Sequence, residues 1–301
     1  MNVSARTVGP WTLHSKQGTG GNATVWQAKR RGLKSLVALK VLNATRAHRE
    51  PYRRFVREIE FLRSLDDHDG ILPLLDAYLP EQPSKDDRPW LAMPIATLIS
   101  DALAGQPLET VVVALAEIAS TLARLAERHG VGHRDIKPSN LYELDGEWLV
   151  GDFGLIAVPN LEQLTRTGRP LGPVHYTAYE MIRDPANAAP LPADVYSFGK
   201  TLWVLATEQR FPPQGHQVAG TRQFSIADLR PHAHAEPLDR LVDRATQIHP
   251  DQRPTMAEVA GDLRAWSELA AEPISLDVTD LRTRLLQRMS DERRRGSARA
   301  A

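Results

Sequence analysis

The eight residues His133–Asn140 constrain this chain more than any other segment. They bring a carboxylate, an ammonium and a carboxamide close together, on Asp135, Lys137 and Asn140. Pro138 interrupts regular structure, which indicates a loop. A carboxylate orients a hydroxyl, a lysine neutralises a transferring phosphoryl group, and an amide oxygen is a hard ligand suited to magnesium. The segment therefore predicts a catalytic loop.

A second acidic residue, Asp152, follows Asn140 by twelve positions and begins the sequence Asp-Phe-Gly. Between them, the runs 141–144 and 148–150 flank Asp145-Gly146, which is a hairpin signal. Such a hairpin would place Asn140 and Asp152 side by side at its open end. Two hard oxygen ligands at one place predict a metal site.

The N-terminal part contains a glycine-rich segment and a strand that carries one lysine. Gly18 and Gly20 lie in Gly-Thr-Gly-Gly-Asn-Ala-Thr-Val, where small residues would let backbone N–H groups approach a polyphosphate. Glycine-rich turns are also common in hairpins. Lys40 follows Val-Ala-Leu, and we expect Glu58, on an amphipathic segment, to pair with it. The alternatives are a surface lysine and a solvated glutamate.

Composition excludes several classes of protein. The chain has 301 residues, 42% hydrophobic and 25% charged, and 37 basic residues balance 37 acidic ones. No global field would draw it onto nucleic acid or an anionic membrane. The absence of cysteine excludes disulfides and thiolate chemistry. With no signal-like segment and no apolar run of about 20 residues, we expect a cytoplasmic protein without a membrane span.

The hydrophobic pattern changes along the chain. Short β-branched runs at Thr24–Trp26 and Leu36–Leu42 precede an amphipathic segment, Pro51–Leu65, and Glu81–Pro89 has the composition of a loop between strands. After Pro94 the pattern becomes helical. The predicted helices are Leu108–His129, Ala193–Thr207, Pro237–Gln247 and Thr255–Leu269.

The order and spacing of these motifs resemble the eukaryotic-type serine/threonine protein kinases that bacteria also carry, over roughly residues 8–270. The resemblance implies an α+β, two-lobed fold. Its small N-lobe, an antiparallel sheet with one helix, would span about 8–93, its hinge 94–97, and its larger, mostly helical C-lobe about 98–270. Residues 271–301 would then form a helical, arginine-rich tail.

The resemblance also implies roles for the motif residues. Asp135 would be the catalytic base and Lys137 would contact the γ-phosphate of ATP. Asn140 and Asp152 would bind Mg²⁺. The residues implied in binding ATP are Gly18, Gly20, Val25, Ala38, Lys40, Glu58, Met93, Pro94, Ala96 and Leu141. Among them, Lys40 would hold the α- and β-phosphates, positioned by Glu58, and the hinge would bind adenine.

Other positions fit the family's framework. The resemblance implies a hydrophobic stack of Leu62, His133 and Phe153, a buried Asp194 that anchors the catalytic loop, and an ion pair between Glu180 and Arg253. Three positions depart from the pattern: Ala23 replaces a loop glycine, Pro173 replaces a threonine, and Tyr179 replaces a proline. The last two raise the expectation of unusual substrate docking.

Regulation is a further expectation. An arginine such as Arg134, just before the base, commonly pairs with a phosphate in this family, and Thr165 and Thr167 are the candidate acceptors. The segment 277–301 holds seven arginines and no lysine. It would be a solvated tail, or would contact an acidic partner, nucleic acid or lipid headgroups.

The motifs are compatible with three functions. The first is a protein kinase that phosphorylates serine and threonine hydroxyls of protein substrates and, through self-association, itself. The second is a pseudokinase or ATP-binding regulatory module with weak or no transfer. The third is a small-molecule phosphotransferase, against which Lys137 and the 28-residue interval from Asp152 to Glu180 argue. Nucleic acid is not an expected partner.

Overall fold

The computed structural model describes residues 6–20, 22–43, 49–65, 68–156 and 175–271. Contacts divide the chain into two units, Met1–Ser267 and Glu268–Ala301. Every element that carries a predicted site residue lies in the first unit. Of the second unit, residues 268–271 are described, and they are helical. No helix within the described ranges is long and apolar enough to cross a bilayer.

The N-terminal part is a six-stranded antiparallel sheet in the order β1-β2-β3-β4-β6-β5. Its strands are β1 (Thr7–Val8), β2 (Trp11–Thr19), β3 (Ala23–Arg30), β4 (Val37–Leu42), β5 (Asp76–Tyr78) and β6 (Trp90–Met93). Residues 79–89 connect the last two strands, so the predicted loop at Glu81–Pro89 is confirmed. The antiparallel sheet agrees with the predicted fold class.

Alternation along β4 gives this sheet two apolar faces. Val37, Leu39 and Val41 join Trp11 and Trp90 in one cluster. Leu42, on the opposite face, packs in a second cluster with residues of the following helix, α1 (Glu50–Ser64). Because Lys40 lies two residues before Leu42, its side chain is on the face that α1 covers.

Helix α1 follows from its sequence. Pro51 stands in its first turn, where a missing N–H has no cost, and the apolar residues Tyr52, Phe55 and Ile59 lie at helical spacing. All three are buried against the sheet. Glu58 lies beside Ile59 and is only 3% exposed, so its carboxylate is held inside the fold.

A second sheet holds the predicted hairpin. Its order is β7-β8-β9, with β7 at Thr97–Leu98, β8 at Leu141–Leu144 and β9 at Glu147–Val150. Asp145 and Gly146 both have positive φ, 53° and 89°, as a two-residue hairpin turn requires. A single turn of 3₁₀ helix, Pro138–Asn140, leads directly into β8. The hairpin prediction is confirmed.

The rest of the described chain is mainly helical. The helices are α2 (Ile99–Ala102), α3 (Leu108–His129), α4 (Tyr179–Arg183), α5 (Pro190–Thr207), α6 (Ile226–Leu229), α7 (Ala235–Ala245) and α8 (Met256–Ala271). Helix α3 has the predicted bounds, and Gly130, with φ 62°, caps its C-terminus. Helix α5 begins one turn before the prediction, because Pro190 occupies its first turn.

Candidate active site

Lys40 lies at the centre of a charged cluster built from three elements. Its ammonium donates to both carboxylate oxygens of Glu58, at 2.8 and 2.9 Å, and to Asp152 Oδ1 at 2.9 Å. Strand β4, helix α1 and the residues after β9 supply the three side chains. The structure thus joins the strand lysine, the helix glutamate and the Asp-Phe-Gly aspartate that the sequence singled out.

Lys40 and Asp152 stabilise each other's charge, whereas burial raises the pKa of Glu58 in spite of the Lys40 ammonium. Burial alone would lower the pKa of Lys40, but the carboxylates of Asp152 and Glu58 outweigh it, and the pKa is raised above the usual lysine value. The Lys40 ammonium in turn lowers the pKa of Asp152 to about 2, against the opposing effect of burial. Asp152 therefore remains ionised throughout the physiological pH range.

Asp135, Lys137 and Asn140 form a second polar cluster. Lys137 Nζ lies 2.7 Å from Asp135 Oδ2, and Asn140 Nδ2 donates to the same oxygen at 3.0 Å. Asn140 Nδ2 also donates to the backbone carbonyl of Asp135, at 2.7 Å. Because the amide nitrogen is engaged in this way, the Asn140 oxygen is the end of the side chain left to act as a ligand.

The backbone of the catalytic loop is held by Asp194, from helix α5. Its carboxylate accepts from the N–H groups of His133 at 2.6 Å and Arg134 at 2.7 Å. Arg134 has φ 65°, a left-handed conformation that these bonds stabilise. Burial raises the pKa of Asp194 to about 6, although His133 and the two N–H groups oppose the shift. The structure gives Asp194 the anchoring position that the resemblance implied.

Two members of the implied stack, His133 and Phe153, lie in contact behind the site. The rings of His133 and Phe153 lie 4.8 Å apart, and His133 Nε2 is 3.0 Å from the Gly151 carbonyl. The aromatic neighbour from α1 is Phe61, whose ring lies 5.1 Å from that of Phe153. Leu62, the residue named from sequence, is buried beside it. Phe61 thus adds a ring beside Phe153, and the place of Leu62 in the stack stays a prediction.

A cavity of about 430 Å³ opens between the two charged clusters. Its lining includes Lys40, Glu58, Asp135, Lys137 and Asp152, together with Gly20 and Val25 of the β2–β3 hairpin. Arg54 also lines it, although the sequence reasoning did not select that residue. The available signal was its position on α1, one helical turn before Glu58.

The glycine-rich segment is a hairpin end. Gly18 pairs with Val25 across β2 and β3, and the Gly20 N–H donates to the Ala23 carbonyl at 2.9 Å. A Cβ at Gly18 would meet no atom within 4 Å. Of the two glycines, Gly20 lines the cavity, so the end of the hairpin lies at the cavity wall.

The residues implied in binding the base lie on adjoining strands. Ala38 pairs with Met93 across β4 and β6, and Val25 pairs with Lys40 across β3 and β4. Pro94 and Ala96 follow β6 directly and are partly buried. Leu141, in contrast, is 0% exposed, at the start of β8.

The neighbour of Leu141, Tyr142, is a residue that the sequence reasoning missed. It is partly exposed, and a Cβ added to Gly151 would lie only 2.8 Å from its Cε2 atom. Burial raises its pKa to about 12, and the Asp152 carboxylate adds to the shift, which places the phenol near the charged cluster. Alternation along β8 was the available signal, because Leu141 and Tyr142 must point to opposite faces.

The ion pair expected between Glu180 and Arg253 is present. Arg253 Nη1 and Nη2 lie 2.5 and 3.0 Å from the two carboxylate oxygens of Glu180. The residues Thr165, Thr167 and Pro173, with the arginine-rich tail, lie outside the described residues. Their predicted roles therefore stay predictions.

Comparison with known proteins agrees with this geometry. The sequence profile of the protein kinase domain matches residues 11–263. The chain belongs to the protein kinase domain family.

Its relatives include several bacterial serine/threonine-protein kinases. It is 33% identical to PknL of Mycobacterium tuberculosis over 284 residues, which cover 87% of this chain and 67% of the relative. It is 31% identical over 262 residues to PknK of the same species, covering 82% and 23%. For PkaA of Streptomyces coelicolor the identity is 30% over 290 residues, covering 86% and 50%. The chain thus spans about a quarter of PknK and half of PkaA.

Proposed function

We propose that this chain transfers the γ-phosphate of ATP to serine and threonine hydroxyls of protein substrates. The observation that carries the proposal is the cavity that the Asp135 and Lys40 clusters share, in a member of the protein kinase domain family. Its relatives named as serine/threonine-protein kinases support the type of acceptor. Nothing in the described residues favours a module that binds ATP without transfer.

Asp135 would orient the attacking hydroxyl and accept its proton. Its Oδ2 atom already accepts from Lys137 and Asn140, so we assign the hydroxyl to Oδ1. The Lys137 ammonium would neutralise charge that develops on the transferring phosphoryl group. Asp194 would be a positioning residue that does not touch the substrate, since its hydrogen bonds fix the backbone immediately before Asp135.

Lys40 would bind the α- and β-phosphates, held in place by Glu58. The backbone around Gly18 and Gly20 would cover the phosphates. For the base, Val25, Ala38, Met93, Pro94 and Ala96 form the proposed site. We place Tyr142 in that site as well, because it is Tyr142 that lies at the partly exposed face while Leu141 is fully buried.

Asn140 and Asp152 fit Mg²⁺ by their chemistry. Both offer hard oxygen atoms, and the pKa of about 2 keeps Asp152 charged. The described residues contain no cluster of three or more histidine or acidic side chains that could hold a metal alone. We propose that phosphate and water would complete the ligands of the ion. When bound, the ion would neutralise phosphate charge.

The proposed fold has two lobes, residues 8–93 and 98–270, joined by a hinge at 94–97, with the ATP site between them. A cytoplasmic location follows from the proposed use of ATP. Self-association would allow one copy to phosphorylate another. Each of these statements depends on the proposed activity.

Mass spectrometry of the purified chain tests the proposal. The chain is incubated with ATP and Mg²⁺ and a generic protein acceptor, beside the Asp135→Asn variant. New phosphoserine or phosphothreonine sites that appear only with the unaltered chain are expected. Equal phosphorylation by both proteins, or none by either, would contradict the proposed activity.

A further inference from the structure

The segment that begins at His175 is tied to the catalytic loop through helix α5. Ser197 Oγ donates to the Tyr176 carbonyl at 2.8 Å, and Asp194, one turn earlier on the same helix, binds the backbone just before Asp135. Residues that follow Tyr176 therefore lie beside the loop that carries the proposed base. A protein acceptor that brings a hydroxyl to Asp135 could therefore contact them.

Two exposed aromatic rings in this region each carry an arginine. The Arg183 guanidinium carbon lies 5.9 Å from the ring centroid of Tyr179, and that of Arg210 lies 5.1 Å from the ring centroid of Phe211. Tyr179 is 57% and Phe211 51% exposed. The ring of His175 stacks on Phe211 at 5.0 Å, which links the two segments. We call Tyr179, Arg183, Arg210 and Phe211 the arginine–aromatic surface.

Ion pairs and hydrogen bonds hold the backbone on both sides of this surface. The ion pair with Arg253 fixes Glu180, the residue next to Tyr179. On the other side, Lys200 of α5 donates to the Pro213 carbonyl at 2.9 Å and also to the Gly215 carbonyl. The loop that follows Phe211 is thereby fastened to the helix. Exposed side chains on a fixed backbone lose less entropy when a partner binds.

The guanidinium groups of Arg183 and Arg210 are available to a negatively charged partner. Within the described residues, neither Arg183 nor Arg210 forms an ion pair, whereas Arg240 and Arg244 on helix α7 are each paired with a carboxylate. Aromatic residues and arginine are also the types enriched where proteins bind one another. An incoming carboxylate would meet a guanidinium here, and an apolar side chain would meet a ring.

We infer that the arginine–aromatic surface selects protein substrates whose acceptor hydroxyl is flanked by acidic and apolar side chains. The inference rests on the proposed kinase activity and adds the class of substrate to it. The inference also assigns a role to Tyr179. Its ring, at the position where the family has proline, forms part of the docking surface.

Peptide libraries test the inference. In each library a central threonine is the acceptor, and one position from five before it to five after it is set to Glu, Gln, Lys or Leu. The unaltered chain is expected to favour Glu over Gln by about threefold or more at one position at least, as a surface charge pair would give. Leu should be favoured over Gln at another position.

Reversing the charge of each arginine tests whether the preference for Glu depends on this surface. Arg183→Glu and Arg210→Glu should each remove the preference for Glu and turn it toward Lys at the same position. The matched control is Arg31→Glu, an exposed arginine in the turn after β3, with the same change of charge. The control should keep the original preference within about twofold. Arg183→Gln and Arg210→Gln serve if a reversed variant fails to fold.

The outcomes separate the inference from the proposed activity. Transfer to the libraries with no preference for Glu over Gln overturns the inference alone, as does a preference that survives in both variants. A loss of preference in Arg31→Glu also overturns it, since the effect would then be one of net charge. Failure to phosphorylate any peptide or generic protein contradicts the proposed activity, and the inference falls with it.

Discussion

The Lys40 ammonium lies within hydrogen-bond distance of both carboxylate oxygens of Glu58, at 2.8 and 2.9 Å. The bonds join the centre of a strand to the helix that covers it, and both side chains are largely buried. Replacement of Lys40 leaves the buried Glu58 carboxylate without its counter-ion, a change that typically costs about 3–5 kcal/mol.

A double-mutant cycle measures this pair. We predict that Lys40→Met lowers the free energy of unfolding by about 3 kcal/mol, and that Lys40→Met combined with Glu58→Leu loses less than the two single changes added together. Urea denaturation gives the four values. Strict additivity would show that the two side chains do not interact.

The contact between Gly151 and Tyr142 predicts a change in ATP affinity. A Cβ on residue 151 would lie 2.8 Å from Tyr142 Cε2 and 3.3 Å from Leu72 Cδ2, so the ring must move. We predict that Gly151→Ala raises KM for ATP by about fivefold or more, because an obstructed cleft weakens binding more than it slows chemistry. Steady-state kinetics at varied ATP concentration would check this.

Two further variants, a rescue and a control, test the cause of the change in KM. Gly151→Ala with Tyr142→Leu should restore KM, since the smaller side chain leaves room for the added methyl group. Gly261→Ala is the control: its Cβ would meet nothing within 4 Å on helix α8, so KM should stay unchanged while stability rises by about 1 kcal/mol. An unaltered KM in Gly151→Ala would remove Tyr142 from the proposed ATP site.

Lys200 predicts how stability depends on pH. It is fully buried, and burial lowers its pKa from 10.5 to about 7. Between these pH values the unfolded chain binds a proton that the folded chain has released, so this residue makes stability rise with pH. Compared with Lys200→Met, the unaltered chain should gain several kcal/mol, at most about 5, between pH 7 and 10.

Denaturant unfolding of both proteins across that range tests the prediction. The quantity to compare is the difference in unfolding free energy, because the other titrating groups contribute equally to both chains. Parallel profiles would mean that Lys200 keeps an ordinary pKa in the folded state.

Much of the site could be predicted because short stretches of sequence determine it. Asp135, Lys137 and Asn140 lie within six residues, and a two-residue hairpin turn fixes where Asp152 returns. The approach of Lys40 to Glu58 followed from strand alternation and helical spacing. Few residues separate the members of the first group, whereas Lys40 and Glu58 are 18 positions apart and meet because strand and helix periodicity place both on buried faces.

The features that sequence did not provide depend on tertiary placement. Either Leu141 or Tyr142 could face the cleft, and the packing of β8 against its neighbours decides it. Nothing in the sequence distinguishes Lys200 from a surface lysine, because its burial depends on the packing of the distant loop that contains Pro213 and Gly215. The arginine–aromatic surface joins residues from two separate segments, so no local pattern reveals it.

The central claim is that Asp135 acts on the acceptor hydroxyl while the Lys40 cluster binds the nucleotide. Asp135→Asn keeps the size of the side chain and removes its charge. The most direct test is to measure, on this variant and the unaltered chain, both the Kd for MgATP and the rate of γ-phosphate transfer to threonine. The account predicts a Kd within about threefold and a rate reduced by about 100-fold or more. An unchanged rate would contradict it.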